Sequence, residues 1–166
     1  MSLFQNILII IVLIAGAGFL SLTEIALAGA RKVKLKILAE AGEDRAQKVL
    51  DLQENSANFF AASQIGLNAV AILGGILGEG AFRPYFLNFV NKFYTGAWAE
   101  SISFTLSFTL VTSLFILFAD LMPKRLAMIA PEKIAISVIN PIQVFITVCR
   151  PLAWFINSMA NLLFRL

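Results

Sequence analysis

The sequence predicts an all-α membrane protein with three transmembrane helices plus juxtamembrane and interfacial helices. Three observations carry this reading. Of 166 residues, 59% are hydrophobic and 14% charged, where a soluble domain has about 45–50% and about 25%. Three apolar runs are each long enough to cross a hydrocarbon core, which takes about 20 residues. A polar, lysine-rich stretch separates the first run from the second. The mean hydropathy of +0.84 agrees.

Composition also narrows the chemistry. The single cysteine, Cys149, rules out an intrachain disulfide, and with no histidine a His/Cys zinc site cannot be assembled within one chain. No Gly-rich phosphate loop or nucleophile elbow gives enzyme chemistry a foothold, so no catalytic residue is expected. No basic-aromatic module points to nucleic acid.

The first span falls in residues 1–28, with an apolar run from Leu3 to Leu22. No lysine or arginine precedes Arg31, so the positive region of a signal peptide is missing. The basic cluster Arg31, Lys32, Lys34 and Lys36 follows the span. The positive-inside rule then puts the N-terminus outside and makes this an uncleaved, reversed anchor. In GAGFLSLTEIAL, Ser21 and Glu24 share a helix face, and Gly16 and Gly18 one turn earlier admit a neighbouring backbone. Glu24 lies inside the apolar run, which marks it as a candidate binding residue. Ser21 is open to another reading, a hydroxyl bonded to its own helix.

Residues 29–56 read as a cytoplasmic helical hairpin broken at Gly42. Val33, Ile37 and Leu38 form one apolar stripe, and Val49, Leu50 and Leu52 another. Lysines so placed are drawn to membrane lipids of anionic charge. The second span covers 57–78, where Gln64, Asn68, Ala71, Gly75 and Gly78 fall on one face. The two amides are expected to look into the bundle, as cation ligands or as glue between helices.

Residues 79–100 read as an external loop carrying a short aromatic helix with Phe86, Phe89, Phe93 and Tyr94. The third span, 101–122, is rich in hydroxyls, and Thr105, Thr109, Thr112 and Ile116 share a face leading toward Asp120. Such hydroxyls either bind helices together or line a hydrated path.

The span ends in FADLMPKR. Asp120 is an acid at the end of an apolar run, costly there unless it is paired or has a task. Pro123 should break or bend the helix and free carbonyl oxygens at Met122 and Pro123 beside that acid. The competing reading pairs Asp120 with Lys124 or Arg125.

Residues 131–166 are apolar but interrupted by Pro141, Arg150, Pro151 and Asn157. A full fourth span would bury Arg150 at a cost of roughly 2.5–3.5 kcal/mol. Two shorter belt helices along the inner interface, Pro131–Cys149 and Pro151–Phe164, avoid it. Trp154 and Arg165 would anchor them, and the C-terminus would be cytoplasmic.

GFLSLTEIALAGARKVKLKILAEAG, FFAASQIGLNAVAILGG, FADLMPKRLAMIAPEKIA and CRPLAWFIN, in that order, resemble the membrane domain of the CNNM/CorC cation-transporter family. The resemblance covers essentially the whole chain. It implies a homodimer with three spans and a belt of juxtamembrane helices. It also implies a cytosolic CBS-domain pair beyond residue 166, so that this chain is a piece of a longer protein.

The family is associated with magnesium efflux coupled to sodium. The resemblance therefore implies bound Mg2+ or Na+, with Ser21, Asn68 and Asp120 as metal ligands and Met122–Pro123 carbonyls completing the cage. Asp120 stands where the family usually has glutamate. QIGLNAVAILGG with FADLMPKR resembles the polyamine-export branch, known from bacterial inner membranes. That implies putrescine or cadaverine as a small dication cargo. A linear diamine needs acceptors at two separated points, which Glu24 and Asp120 could supply, with Ser21, Gln64, Asn68, Met122 and Pro123 as the other candidate contacts. The reading from another class is a membrane anchor or regulator for cytosolic CBS domains.

Overall fold

The computed structural model describes residues 3–163, with side chains described for residues 4–151 and for Phe155. The side chains of Trp154 and Arg165, on which the interfacial anchor rests, and that of Asn157 lie outside the described ones. The elements are α1 (Leu3–Gly29), α2 (Lys32–Glu40), α3 (Asp44–Glu54), α4 (Ser56–Val90) and α5 (Ala99–Leu114), then a π-helical segment (Phe115–Leu121), α6 (Met122–Ile129) and α7 (Pro131–Leu163).

Among the described residues four helical stretches, not three, are long and apolar enough to cross a membrane: Phe4–Gly29, Ser56–Val90, Ala99–Ile129 and Pro131–Pro151. The fourth corrects the expectation of two short belt helices, because α7 runs unbroken through Pro141 and Pro151. Two physical facts explain it. Arg150 is exposed, and a long side chain can carry its charge toward polar surroundings while its stem lies along apolar surface. Ser137 and Thr147 stand four residues before the two prolines, where each ring presses on a carbonyl. Their hydroxyls donate to Lys133 O at 2.8 Å and Gln143 O at 2.8 Å. Such back-bonding bends a helix slightly, which makes room for a ring.

The chain divides into two compact units, Met1–Phe19 with Asn68–Pro123, and Leu20–Leu67 with Lys124–Leu166.

In the first unit, α4 continues past the expected boundary at Gly78 to Val90, so the connection to α5 shrinks to residues 91–98. The Glu79–Arg83 pair, 3.7 Å apart at i,i+4, supports that continuation, and Arg83 also reaches Glu100 of α5 at 3.5 Å. A Cβ at Gly74 would overlap the Phe115 ring, and one at Gly78 would overlap Val111. The close approach of α4 to the third crossing stretch therefore uses Gly74 and Gly78, one turn apart. Gly75, on the face that the sequence shares with Gly78, takes no part in this approach, since a Cβ there would meet nothing within 4 Å.

The inward face of α5 is Ser103, Ser107 and Val111, all buried, whereas Thr105 and Thr109 are exposed. Side chains four apart share a face, and the smaller hydroxyls take the inner one. Ser103 donates to Ala99 O at 2.7 Å and Ser107 to Ser103 O at 2.9 Å, so each is satisfied within its own helix.

In the second unit, α2 and α3 form the expected hairpin. Gly42 adopts φ +95°. Its N–H donates to Ala39 O, and the Glu43 N–H to Leu38 O, both at 3.0 Å. Those are the two bonds of a Schellman turn, whose left-handed residue glycine adopts without strain. The stripe on α3 is buried at Val49 and Leu50 with Ala46. On α2 the buried residue is Leu35, while the apolar stripe of Val33, Ile37 and Leu38 is exposed. Packing against α3 selects one residue, and the remaining apolar side chains face outward.

Gln53 of α3 donates through Nε2 to Leu27 O at 2.8 Å and Ala30 O at 2.9 Å. It thereby satisfies carbonyls that the end of α1 leaves open. Glu132 opens α7 and is buried, with Arg31 at 3.6 Å and Lys34 at 3.4 Å.

Candidate functional site

Glu24 lies on α1, inside the apolar run, and is half-buried. The nearest route to a partner is α4, which carries Gly66 where a Cβ would come within 2.9 Å of Leu20 Cδ1 and 3.1 Å of Phe145 Cζ. The missing side chain lets α1, α4 and α7 approach one another there. One turn past Leu20 on α1, and two residues before Gly66 on α4, Gln64 Nε2 donates to Glu24 Oε1 at 3.1 Å. An acid in an apolar run is costly when bare, and an amide N–H is a donor it can use. With the amide nitrogen committed to Glu24, the Gln64 carbonyl oxygen stays available as an acceptor. The pair thus offers a formal negative charge and a neutral oxygen, both acceptors, which suits a hydrogen-bonding cation.

Among the described residues, three buried hydroxyls belong to the same unit, those of Ser21, Thr23 and Ser63. Ser21 has no exposure and is already engaged by a polar or electrostatic contact. Ser63 also has no exposure, and its Oγ makes no hydrogen bond. Sequence reasoning passed over Ser63. The available signal was its place one residue before Gln64 and three before Gly66, a polar residue on a helix that a glycine brings close to others.

The remaining candidates lie in the first unit. Asn68 is exposed, which corrects the expectation that both amides point into the bundle. Gln64 is exposed as well, although it reaches Glu24. Asp120 is half-buried within the π segment and is not free of partners.

Pro123 does not break the helix, contrary to expectation. The chain widens before it into π geometry and re-enters an α-helix at Met122. The Met122 N–H reaches back five residues to Leu117 O. In the same register the Phe118 carbonyl would look to residue 123, whose proline has no N–H to give. A π turn spreads the ladder, and such turns recur at functional sites. Gly18 completes the fit, because a Cβ there would stand 3.2 Å from Pro123 Cγ and 3.4 Å from Phe118 O. The carbonyl loosened by proline is therefore that of Phe118, two residues before Asp120. Met122 and Pro123 begin α6, where α-helical bonding takes up their carbonyls.

Among the described residues no group of three or more His, Cys, Asp or Glu side chains is placed to hold a metal ion. A magnesium site would rest on hydroxyls, amides and backbone oxygens around one carboxylate.

Residues 8–166 match the family model described as the cyclin M (CNNM) transmembrane N-terminal domain. The chain is 52% identical over 162 residues to the polyamine export protein of Escherichia coli K12, covering 98% of this chain and 36% of that protein. It is 54% identical over 162 residues to the polyamine export protein of Salmonella typhimurium, with the same coverage of 98% and 36%. It is 46% identical over 166 residues to that of Haemophilus influenzae, covering 100% of this chain and 38% of the relative. The chain thus spans little more than a third of the length of these relatives.

Proposed function

The chain belongs to the CNNM transmembrane domain family, and on that footing we propose that this multi-pass membrane protein is the membrane part of a cation exporter whose cargo is a polyamine. The relatives named for polyamine export, alike over nearly the whole of this chain, support the cargo. The observation that carries the mechanism is the 3.1 Å bond between Gln64 Nε2 and Glu24 Oε1, which joins α1 to α4 through a carboxylate inside an apolar run.

A diamine at neutral pH carries two ammonium groups, each with three donors and no acceptor. Such a cation needs acceptors and negative charge, and its aliphatic middle tolerates apolar walls. We assign cargo contact in the second unit to Ser21, Glu24 and Gln64; in the first unit, taken by itself, Asn68 and Asp120 are the candidates to meet a cation. Arriving ammonium competes with the Gln64 amide for Glu24, so cargo binding and the α1–α4 link are alternatives. Exchange between them is what an alternating-access cycle requires. We place the protein in the bacterial inner membrane, with Arg31 and Lys32–Lys36 on the cytoplasmic side, and as a homodimer.

The test is efflux of labelled putrescine from proteoliposomes containing the chain. Glu24→Ala should abolish efflux, while Gln64→Ala should alter it without unfolding the protein. Export unchanged in Glu24→Ala overturns the assignment of the site. Movement of magnesium but not putrescine overturns the cargo. Retention of both by the full-length protein favours the anchor or regulator reading.

A further inference from the structure

The first unit holds a second feature, separate from Glu24 and Gln64. Between α4 and α5 runs a groove of about 520 Å³, within the usual range for a small-molecule site. Its walls include Ile72, Gly75, Ile76, Phe104 and Phe108. Gly75 creates much of the space, since nothing lies within 4 Å of where its Cβ would stand. The Phe104 and Phe108 rings are stacked, with centroids 5.9 Å apart.

Glu79 is the one acid lining this groove. Its Oε1 is buried and makes no hydrogen bond. The nearest cation, Arg83, stands 3.7 Å from that oxygen and is shared with Glu100 at 3.5 Å. Two carboxylates thus share one guanidinium, for a local formal charge of −1. A buried carboxylate oxygen without a donor is costly, and a charged donor relieves that cost.

We propose that this groove binds an aliphatic primary ammonium, its cation at Glu79 and its carbon chain along Ile72, Ile76 and the phenylalanine pair. The walls suit methylene groups, and the acid suits an N–H donor. A phosphate or carboxylate ligand would meet the same negative charge and be repelled. A hard divalent cation would need several more oxygen ligands than a carbon-lined groove supplies. The inference stands apart from export, because it concerns binding alone and uses none of the residues assigned to cargo.

The test uses the chain in phosphatidylcholine nanodiscs, titrated calorimetrically with n-hexylammonium and, in parallel, with 1-hexanol. Saturable binding of the ammonium is expected, with hexanol binding roughly tenfold more weakly or worse. Glu79→Gln should weaken the ammonium by a similar factor. Because that variant also loses an Arg83 contact, Gly75→Leu provides a second arm. It fills open space, so it should fold and still block binding. In the Glu24→Gln background, which removes the ammonium contact assigned to export, saturable hexylammonium binding should persist and should be lost on adding Gly75→Leu, which separates this groove from the proposed export site.

Equal binding of hexanol and hexylammonium makes the groove a slot for lipid chains and overturns the proposal. So does undiminished binding in folded Gly75→Leu, or an absence of saturable heat with the unaltered chain. Ile76→Cys in a Cys149→Ser background that cross-links two copies in the nanodisc, regardless of added hexylammonium, assigns the groove to a second copy and overturns it as well.

Discussion

Gly78 and Gly75 lie one turn or less apart on the same helix, yet alanine should act on them in opposite directions. Replacing a helical glycine by alanine contributes about 0.5–1 kcal/mol through backbone entropy. At Gly75 a new methyl enters open space, so Gly75→Ala should gain about that much. At Gly78 the methyl overlaps Val111, a buried β-branched side chain with 1% exposure. Valine in a helix holds essentially one rotamer and cannot swing aside. The helices must then separate or strain, at about 1–3 kcal/mol for an overpacked core. After the entropic gain, Gly78→Ala should be destabilised by about 0.5–2 kcal/mol, and the two variants should differ by about 1–3 kcal/mol.

Reversible unfolding in mixed micelles, followed by far-UV circular dichroism, reads this difference directly. A double-mutant cycle sharpens it. Val111→Ala removes the obstructing methyls, so Gly78→Ala should cost little in that background, with a coupling of about 1 kcal/mol or more. Equal stabilities for Gly75→Ala and Gly78→Ala, or zero coupling to Val111, would refute the packing described for α4 and α5.

Gln53→Ala should destabilise the protein by about 1–3 kcal/mol, because two carbonyls at the end of α1 lose their donor; backbone amide exchange at residues 24–30 should rise, and unchanged exchange would count against the cap. Glu132→Gln should cost about 1 kcal/mol, since Arg31 and Lys34 are largely exposed partners and can return to water. Thermal unfolding at low and high salt checks it, and a salt-independent loss would point to packing instead of charge. At the α2–α3 turn, the hydrogen bond from Arg45 holds the Glu43 carboxyl below the ordinary glutamate range. The folded pKa is the lower one. Any stability from this pair is therefore present above the unfolded pKa and lost as pH falls through the folded value. NMR titration of Glu43 should show the depression, and Arg45→Ala should remove it.

Much of this was legible in the sequence. The Schellman turn at Gly42, the lysine-rich hairpin and the buried stripe of α3 follow from local composition and period. Glu24 was marked by its place in an apolar run, and Gln64 by its place on a span. Their bond was not foreseen, because α1 and α4 meet through Gly66, forty residues or so from Glu24, and nothing local sets that register. Pro123 illustrates the opposite failure. Proline was expected to break or bend the helix; the ladder widens into a π turn instead of breaking, and the absent side chain of Gly18 accommodates the ring. Arg150 was weighed as a buried mid-span charge, whereas it is exposed, and exposure depends on which helices stand beside it and not on the run of residues around it.

The chain alone therefore determined what kind of solvent it requires, which stretches become helical, and which few polar groups stand at a loss among apolar neighbours. Those properties are sums over adjacent residues, and no partner is needed to compute them. Only the folded arrangement decided which glycine meets which side chain, whether a proline is tolerated, and which acid finds a donor. Each of those depends on distances between helices remote in sequence, where a single methyl group changes the sign of the outcome.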